Sequence, residues 1–504
     1  MTDNLTSKTL HGLKWSYLST IVNSVLQIGF TAIMARLLEP AAFGLVAMAG
    51  VILRFGSYFA QMGVGSALIQ KKEISDEDVC AAFTSALFLG ILLYVLVWFC
   101  APYAIHIFDN EKVIPIVRVM ALSFVITGLS TTALNLLRRN FKFRSLAVTE
   151  MFAYLFGYGM VGLTLAYNGF GVWSLVVAAL CQSALLAIFS YLFCRHRISF
   201  IYQWKYYKTL YSFGSRVSII SFFEFLGSNL DTLAIGHFIG TASLGIYNRA
   251  FMLVNLPMYY ITTSFSRVLY TSFSKAQKDI ERLKKAYLST VMLFSAILLP
   301  TCLGIAVSSQ EIVLIVLGEK WIASVPVLQI LAIATPFNML SHFGGIICEA
   351  TATLNIKLLM QIIYVTILGV TFYLMRSLSI SDFAMAIVFA EFIRFIAYLF
   401  IVKRICNITP MEYAHAYLSA TASALIIGVA IYFIATILRE YNVPLIILFI
   451  VEFVTGAGLL IFIFFFGPQQ ILRAEIKDRF DKSGIIAKEN SVTDKLLCWF
   501  NKIL

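Results

Sequence analysis

Charged side chains inside long apolar runs are the residues of this sequence best placed to do chemistry. Arg216, Glu224 and Asp231 fall in one such run. At 100° per residue, offsets of 8 and 15 positions put them within roughly 80° of one another on a helix. Ile220, Gly227 and Ser228 share that sector. An Arg or Asp at the centre of a membrane helix costs about 2.5–3.5 kcal/mol on insertion scales, so such groups face a cavity or a partner. For this trio the cavity is the favoured reading, although Arg216 lies near the cytoplasmic end, where a long side chain snorkels to the surface. A second run carries Ser16, Thr20, Asn23, Gln27 and Thr31, spaced by three or four. That stripe reads equally well as a cavity wall or as helix packing through buried hydrogen bonds.

Further polar residues inside apolar runs are Arg54, Gln61, Arg118 and Arg249, with Glu391 and Arg394 at i, i+3. The last two are spaced to neutralise each other as a structural ion pair. Arginines lining a cavity would attract phosphate, because the guanidinium fork matches phosphate oxygens. No catalytic constellation accompanies them: Walker A, GxSxG and HExxH sequences are all absent. Six histidines have no metal-ligand spacing, and eight cysteines form no CxxC pair. The expectation is a protein that is not an enzyme, holds no metal and does not burn ATP within this chain.

The elements that must position these residues are membrane helices. Of 504 residues, 60% are hydrophobic and 13% charged, and the mean hydropathy is +0.86; a soluble chain carries roughly a quarter charged residues. A span takes about 20 apolar residues and must be a helix or part of a closed barrel. Runs such as Ser85–Cys100 and Leu445–Phe466 are continuous rather than alternating, so the fold class is all-α integral membrane. About fourteen spans are expected, starting near Leu13, Ala42, Val79, Ile114, Leu146, Val172, Tyr211, Leu244, Tyr287, Ile322, Leu358, Asp382, Ala414 and Pro444.

With the N-terminus in the cytoplasm, the inward segments hold most of the basic residues, among them Arg138, Arg139, Lys142 and Arg144, then Lys275, Lys278, Arg282, Lys284 and Lys285. The outward loops are nearly free of them, as in Tyr167–Gly171 and His237–Ser243. The net charge of +12 is thus a topology signal, with both termini cytoplasmic and no nucleic-acid partner required. The polar N-terminus does not read as a cleavable signal peptide. The tail from Gln469 reads as a cytoplasmic amphipathic helix on the membrane surface.

Two halves of the chain resemble each other. KTLHGLKWS from Lys8 parallels KTLYSFGSR from Lys208, and Ala35–Ala49 aligns with Gly236–Ala250 at a constant offset of 201. Gly44 then falls on Gly245 and Arg36 on His237. The repeat predicts two six-helix lobes related by a pseudo-twofold, over 1–200 and 201–405. Two additional helices follow over 406–468, and the tail covers 469–504. Such repeats let one lobe rock against the other around a shared site.

Several segments resemble the bacterial lipid-linked oligosaccharide flippases: ARLLEPAAFGL (Ala35–Leu45), ALIQKKEIS (Ala67–Ser75), LRRNFKFR (Leu137–Arg144), DTLAIGHFIGTASLGIYNRA (Asp231–Ala250), FSKAQKD (Phe273–Asp279) and GEKW followed by PVLQILA (Gly318–Ala332). These flippases form the polysaccharide transporter branch of the superfamily that includes multidrug and toxin extrusion carriers, and the likeness is greatest to colanic-acid-type exporters. It runs from about Lys8 to Ala352 and then thins. The resemblance implies twelve core helices plus two. It also implies transfer of undecaprenyl-pyrophosphate-linked repeat units across the bacterial cytoplasmic membrane by alternating access, for lipopolysaccharide or exopolysaccharide. Partners would be that substrate, membrane lipids, and the polymerase and export machinery. Arg36, Arg249 and Asp231 lie in family-like segments; Arg54 and Glu224 do not. The candidate substrate-binding set is Asn23, Gln27, Arg36, Arg54, Gln61, Arg118, Arg216 and Arg249. Coupling to H+ or Na+ falls to Glu224 or Asp231, and no other cofactor is implied. Alternatives are an ion-coupled multidrug antiporter of the same superfamily, a membrane-embedded polysaccharide polymerase or ligase, for which no large external loop exists, and a scaffold for polysaccharide assembly.

Overall fold

The computed structural model describes residues 2–60, 68, 74–199 and 218–466. Among them every regular element is helical. Fourteen long helical segments follow one another: α1 (Thr2–Leu37), α2 (Pro40–Ala60), α3 (Asp76–Phe108), α4 (Val113–Arg139), α5 (Phe143–Tyr167), α6 (Val172–Phe193), α7 (Ser218–Phe238), α8 (Thr241–Ala276), α9 (Ile280–Val307), α10 (Ser324–Ala350), α11 (Leu354–Leu374), α12 (Ile380–Cys406), α13 (Pro410–Glu440) and α14 (Leu445–Phe466). Twelve of them are long and apolar enough to cross a membrane; α7 and α8 are the two outside that group. The helices sit where the apolar runs predict them, whereas fourteen crossings is a count that twelve qualifying helices do not establish. The expected tail helix from Gln469, Gln61 and Arg216 lie outside the described residues.

Helix ends follow local chemistry. Ser75 caps α3 and Thr409 caps α13, each in a reciprocal box with the third residue of its helix, Asp78 and Glu412. Asp279 caps α9 by accepting from the Arg282 backbone N–H. Between α7 and α8 the chain turns at Gly240, whose φ of 106° is a glycine conformation.

Packing divides the chain into two compact units. The first comprises 1–249, 316–321 and 369–383. In it α1 packs on α5, α3 on α4, α6 on α4 and α5, and α2 on α7. The second comprises 250–315, 322–368 and 384–504. In it α9 packs on α10 and α13, with α14 on α13. Tyr287, Phe294, Phe343, Val402 and Cys406 are among the residues of its core. These units follow contact density. The lobes 1–200 and 201–405 follow the sequence repeat and stay a proposal.

Within the first unit the repeat has a direct physical expression. The starts of α2 and α8 meet backbone to backbone. A Cβ on Gly44 would lie 1.8 Å from the Thr241 carbonyl oxygen, and a Cβ on Gly245 would lie 1.9 Å from that of Pro40. Thr241 and Gly245 are the positions 201 after Pro40 and Gly44, so the contact is reciprocal, as a twofold axis between the helices requires. The flanking corners repeat the scheme. The Trp321 indole N–H donates to the Ala35 carbonyl at 2.9 Å, and its ring meets Phe43 edge-on. At the equivalent corner the Phe108 ring covers Gly236, and His237 Nδ1 lies 2.8 Å from the Ile107 carbonyl.

Any side chain at Gly44 or Gly245 must therefore part the two helices. Gly44→Ala and Gly245→Ala should each lower stability by about 1–3 kcal/mol, the usual scale of overpacking. Gly29→Ala in α1, where nothing lies within 4 Å of the added methyl, should be neutral or slightly stabilising. Thermal unfolding in detergent compares the three, and equal midpoints would refute the contact.

Candidate functional site

The first unit gathers five of the ten sequence-selected residues into two neighbourhoods and an adjoining seam. The first neighbourhood joins α2, α7 and α8. Arg54 Nε donates to Asn229 Oδ1 at 2.9 Å, and Asn229 Nδ2 donates in turn to the Phe225 carbonyl one turn back. Asp231 Oδ2 accepts from the Tyr247 hydroxyl at 2.5 Å, and its Oδ1 accepts from the Thr232 backbone N–H at 2.6 Å. Arg54 is near enough to Asp231 to act on its charge. Asn229 and Tyr247 are buried, 6% and 1% exposed, while Arg54 is exposed. An acid, a base, an amide and a phenol thus satisfy one another where an isolated ion would be prohibitive.

The second neighbourhood surrounds Arg249. Its guanidinium carbon lies 4.7 Å from the centre of the Phe43 ring, and Nη2 donates to Asn248 Oδ1 at 2.9 Å. The phenols of Tyr154 and Tyr158 bear on its charge. They stack on each other at 4.9 Å and 26°, and Phe30 of α1 meets both edge-on. The cation therefore lies over the face of Phe43, a contact worth about 2 kcal/mol or more when desolvated. Phe43 also meets Trp321 edge-on, so the buried GEKW tryptophan helps fix the ring that faces Arg249. Arg249 is eight residues into α8, about 12 Å along the axis at 1.5 Å per residue.

The seam between α1 and α5 carries Asn23. Its Nδ2 donates to Ser19 Oγ at 3.1 Å, and Ser19 Oγ donates to Glu150 Oε2 at 3.2 Å. Gln27 is half-buried on the same helix. Glu224, two turns before Asp231 on nearly the same face of α7, has its backbone carbonyl bonded by Ser228 Oγ.

The remaining candidates stand apart. Arg36 is exposed at the end of α1, its stem against Gly318. Arg118 lies 5.2 Å over the Trp98 ring and donates to the Trp98 carbonyl at 3.3 Å, which ties α4 to α3. In the second unit Glu391 and Arg394 form the ion pair that their spacing predicts, at 2.5 Å. Asn338 and Tyr364 both donate to Glu391 Oε1 at 2.9 Å.

Sequence reasoning missed Glu150, Asn229, Tyr247, Tyr154 and Tyr158. Glu150 carried a readable signal, a lone acid within an apolar run. The tyrosines carried none, because an aromatic at helical spacing looks the same in a core and in a site. Also missed was the pair Arg439–Glu311, joined by two hydrogen bonds of 2.9 Å in the second unit. Among the described residues no group of three or more His, Cys, Asp or Glu is disposed to hold a metal.

Residues 33–326 match the family described as polysaccharide biosynthesis protein. Lipopolysaccharide biosynthesis protein WzxC of Escherichia coli is 26% identical over 364 residues, covering 70% of this chain and 72% of that protein. Succinoglycan biosynthesis transport protein ExoT of Rhizobium meliloti is 27% identical over 338 residues, covering 66% and 68%. Among solved structures, the lipid II flippase MurJ in an inward closed conformation superposes with a TM-score of 0.71 at 15% identity, over 90% of this chain and 97% of that one. The likeness to MurJ is one of fold.

The Tyr247–Asp231 bond is testable by itself. Tyr247→Phe should cost about 1.5–3 kcal/mol, the range for a hydrogen bond to a charged group. Paired with Asp231→Asn in a double-mutant cycle of chemical unfolding, it should show coupling above about 0.5 kcal/mol. Strict additivity would separate the two side chains.

Proposed function

Because the chain belongs to the polysaccharide biosynthesis protein family, we propose that it moves lipid-linked oligosaccharides, namely undecaprenyl-pyrophosphate-linked repeat units, from the inner to the outer leaflet of the bacterial cytoplasmic membrane. The observation that carries this reading is the pair of membrane-embedded arginines, Arg54 and Arg249, held in polar and aromatic surroundings inside one unit of a flippase-like fold.

The physical task is to replace water around a pyrophosphate and several sugars without drawing the lipid tail out of hydrocarbon. Guanidinium groups supply charge-assisted donors in the geometry phosphate accepts. Tyr154 and Tyr158 offer flat faces against which the C–H side of a sugar ring packs, and their hydroxyls offer hydrogen bonds. Asp231 and its Tyr247 partner keep the Arg54 side from presenting unrelieved positive charge, so the anion is bound without being trapped. No covalent step is needed, and the protein acts as a transporter rather than an enzyme. Both termini face the cytoplasm, in keeping with the basic residues on that side. Release on the far side draws on an ion gradient. The polymerase and export machinery take up the product. A multidrug antiporter fits less well, since a cationic drug gains nothing from a pocket lined by arginine.

The decisive measurement is leaflet exposure of a lipid-linked oligosaccharide in reconstituted vesicles, read with a membrane-impermeant glycosidase. Exposure should be faster with the protein than in empty vesicles. Arg249→Glu should slow it about tenfold or more, on the scale of losing one charge-assisted contact, with the folded protein recovered in equal amount. No acceleration across several glycans, together with export of a cationic dye, would replace this reading with drug transport.

A further inference from the structure

The second unit carries an accessible polar face that the arginine neighbourhoods do not use. On α10, Asn338, His342, Gly345 and Glu349 recur at i, i+4, i+7 and i+11, one stripe of the helix. Of the twelve helices long and apolar enough to cross a membrane, α10 is the most buried, yet His342 is exposed. It lies eight residues from the end of that helix, about 12 Å along the axis. An ionisable ring left accessible at that depth faces a cavity rather than hydrocarbon. Beside it stands α8: Ser266 Oγ and His342 Nε2 are 3.1 Å apart. Tyr259 and Tyr270 flank Ser266, seven residues before it and four after, so the three fall within about 40° on α8. Both tyrosines are exposed, 54% and 46%.

The charges along the α10 stripe are closed off. Asn338 donates to Glu391, which is paired with Arg394, and Glu349 is paired with Lys357 at 2.7 Å. What remains accessible is two phenols, a hydroxyl and an imidazole.

We propose that Tyr259, Ser266, Tyr270 and His342 form a binding site for uncharged sugar rings, the glycan part of a lipid-linked substrate; the site rests on the transport reading above. A sugar ring has two kinds of surface. Its C–H face packs on an aromatic ring, and its hydroxyls both donate and accept. Tyrosine serves a ligand of that kind because its body is apolar and its tip is polar. The Ser266 hydroxyl and the imidazole also offer both a donor and an acceptor. Neutral groups meet neutral hydroxyls without the desolvation cost of an ion. A charged ligand would find no counter-charge among these four side chains. The two tyrosines are eleven residues apart, about 16 Å along α8, which leaves length for more than one ring.

The test is equilibrium binding of two ligands to the purified full-length protein in detergent. One is undecaprenyl pyrophosphate; the other is the same lipid carrying an oligosaccharide of uncharged hexoses. Wild type should bind the second about fivefold more tightly or better. His342→Ala, Tyr270→Ala and Ser266→Ala should each remove much of that advantage, on the scale of one lost hydrogen bond, and leave affinity for the bare lipid within about twofold. His342→Gln, which keeps a donor and an acceptor, should retain more of the advantage than His342→Ala. Arg249→Glu, by contrast, should weaken both ligands. Should one variant fail to fold, the others decide. An undiminished glycan advantage in the alanine variants would overturn the site. So would equal weakening of both ligands, which marks a change of fold. Equal affinity of wild type for the two ligands would overturn the site and leave the pyrophosphate reading standing; binding of neither would overturn both.

Discussion

The close approach of α2 to α8 is the constraint on which the first unit depends. Two peptide carbonyls, of Pro40 and Thr241, occupy the space that a methyl group on Gly245 or Gly44 would fill. In a bilayer there is no gain from hiding apolar surface between helices, because lipid is as apolar as the helix face. Association rests on close packing, which small residues permit. With glycines at both positions, the helix starts fit at backbone distance. The residues carried behind them then fall into place: Arg54 on α2 reaches Asn229, and Tyr247 on α8 reaches Asp231. A wider crossing would leave each of these groups alone in hydrocarbon. The polar cluster is thus a consequence of the glycine contact as much as of its own hydrogen bonds.

The sequence disclosed the helices because the bilayer leaves so few options. Long continuous apolar runs parted by short basic loops translate directly into helices and their order. The repeat was legible at offset 201 because Gly44 and Gly245 each need the absence of a side chain for the same reason. Less was legible in the site. Arg54, Asp231 and Arg249 stand out as charges where charge is expensive, and they do gather in one unit. Arg118 stands out equally and instead packs on Trp98, because an arginine near a helix end finds an aromatic and a carbonyl without any cavity. Helical periodicity places a side chain on a face but does not say which neighbour covers that face. Tyr154, Tyr158 and Asn229 were invisible for the same reason.

The buried charges fall into two classes that sequence spacing does not separate. Glu391 with Arg394 and Glu311 with Arg439 are closed pairs, each carboxylate nearly inaccessible. Their neutrality is complete within the pair, and additional donors from Asn338 and Tyr364 finish the accounting for Glu391. Such pairs fasten helices. Arg54 and Arg249 are held in another way: the contacts of the first include the Asn229 amide, and those of the second the Phe43 ring and the Asn248 amide. A closed pair has nothing left to offer an incoming anion, which is why the proposed transport reading is built on these two arginines and not on the fastened ones.

The same face of α5 carries two kinds of contact. At Glu150 the carboxylate accepts from the Ser19 hydroxyl, which itself accepts from Asn23, so the acid is drawn into the hydrogen bonding that holds α1 against α5. One and two turns on, Tyr154 and Tyr158 stack on each other, and Phe30 of α1 meets both edge-on. A polar contact and an aromatic one thus fasten the same seam. Because α5 is wound as a π-helix between Leu155 and Gly162, its hydrogen-bond register is already broken there and a small change of winding is inexpensive. A straight α-helix would carry both contacts as a rigid rod; the wider winding lets the aromatic contact shift against α1 while the polar one stays in place.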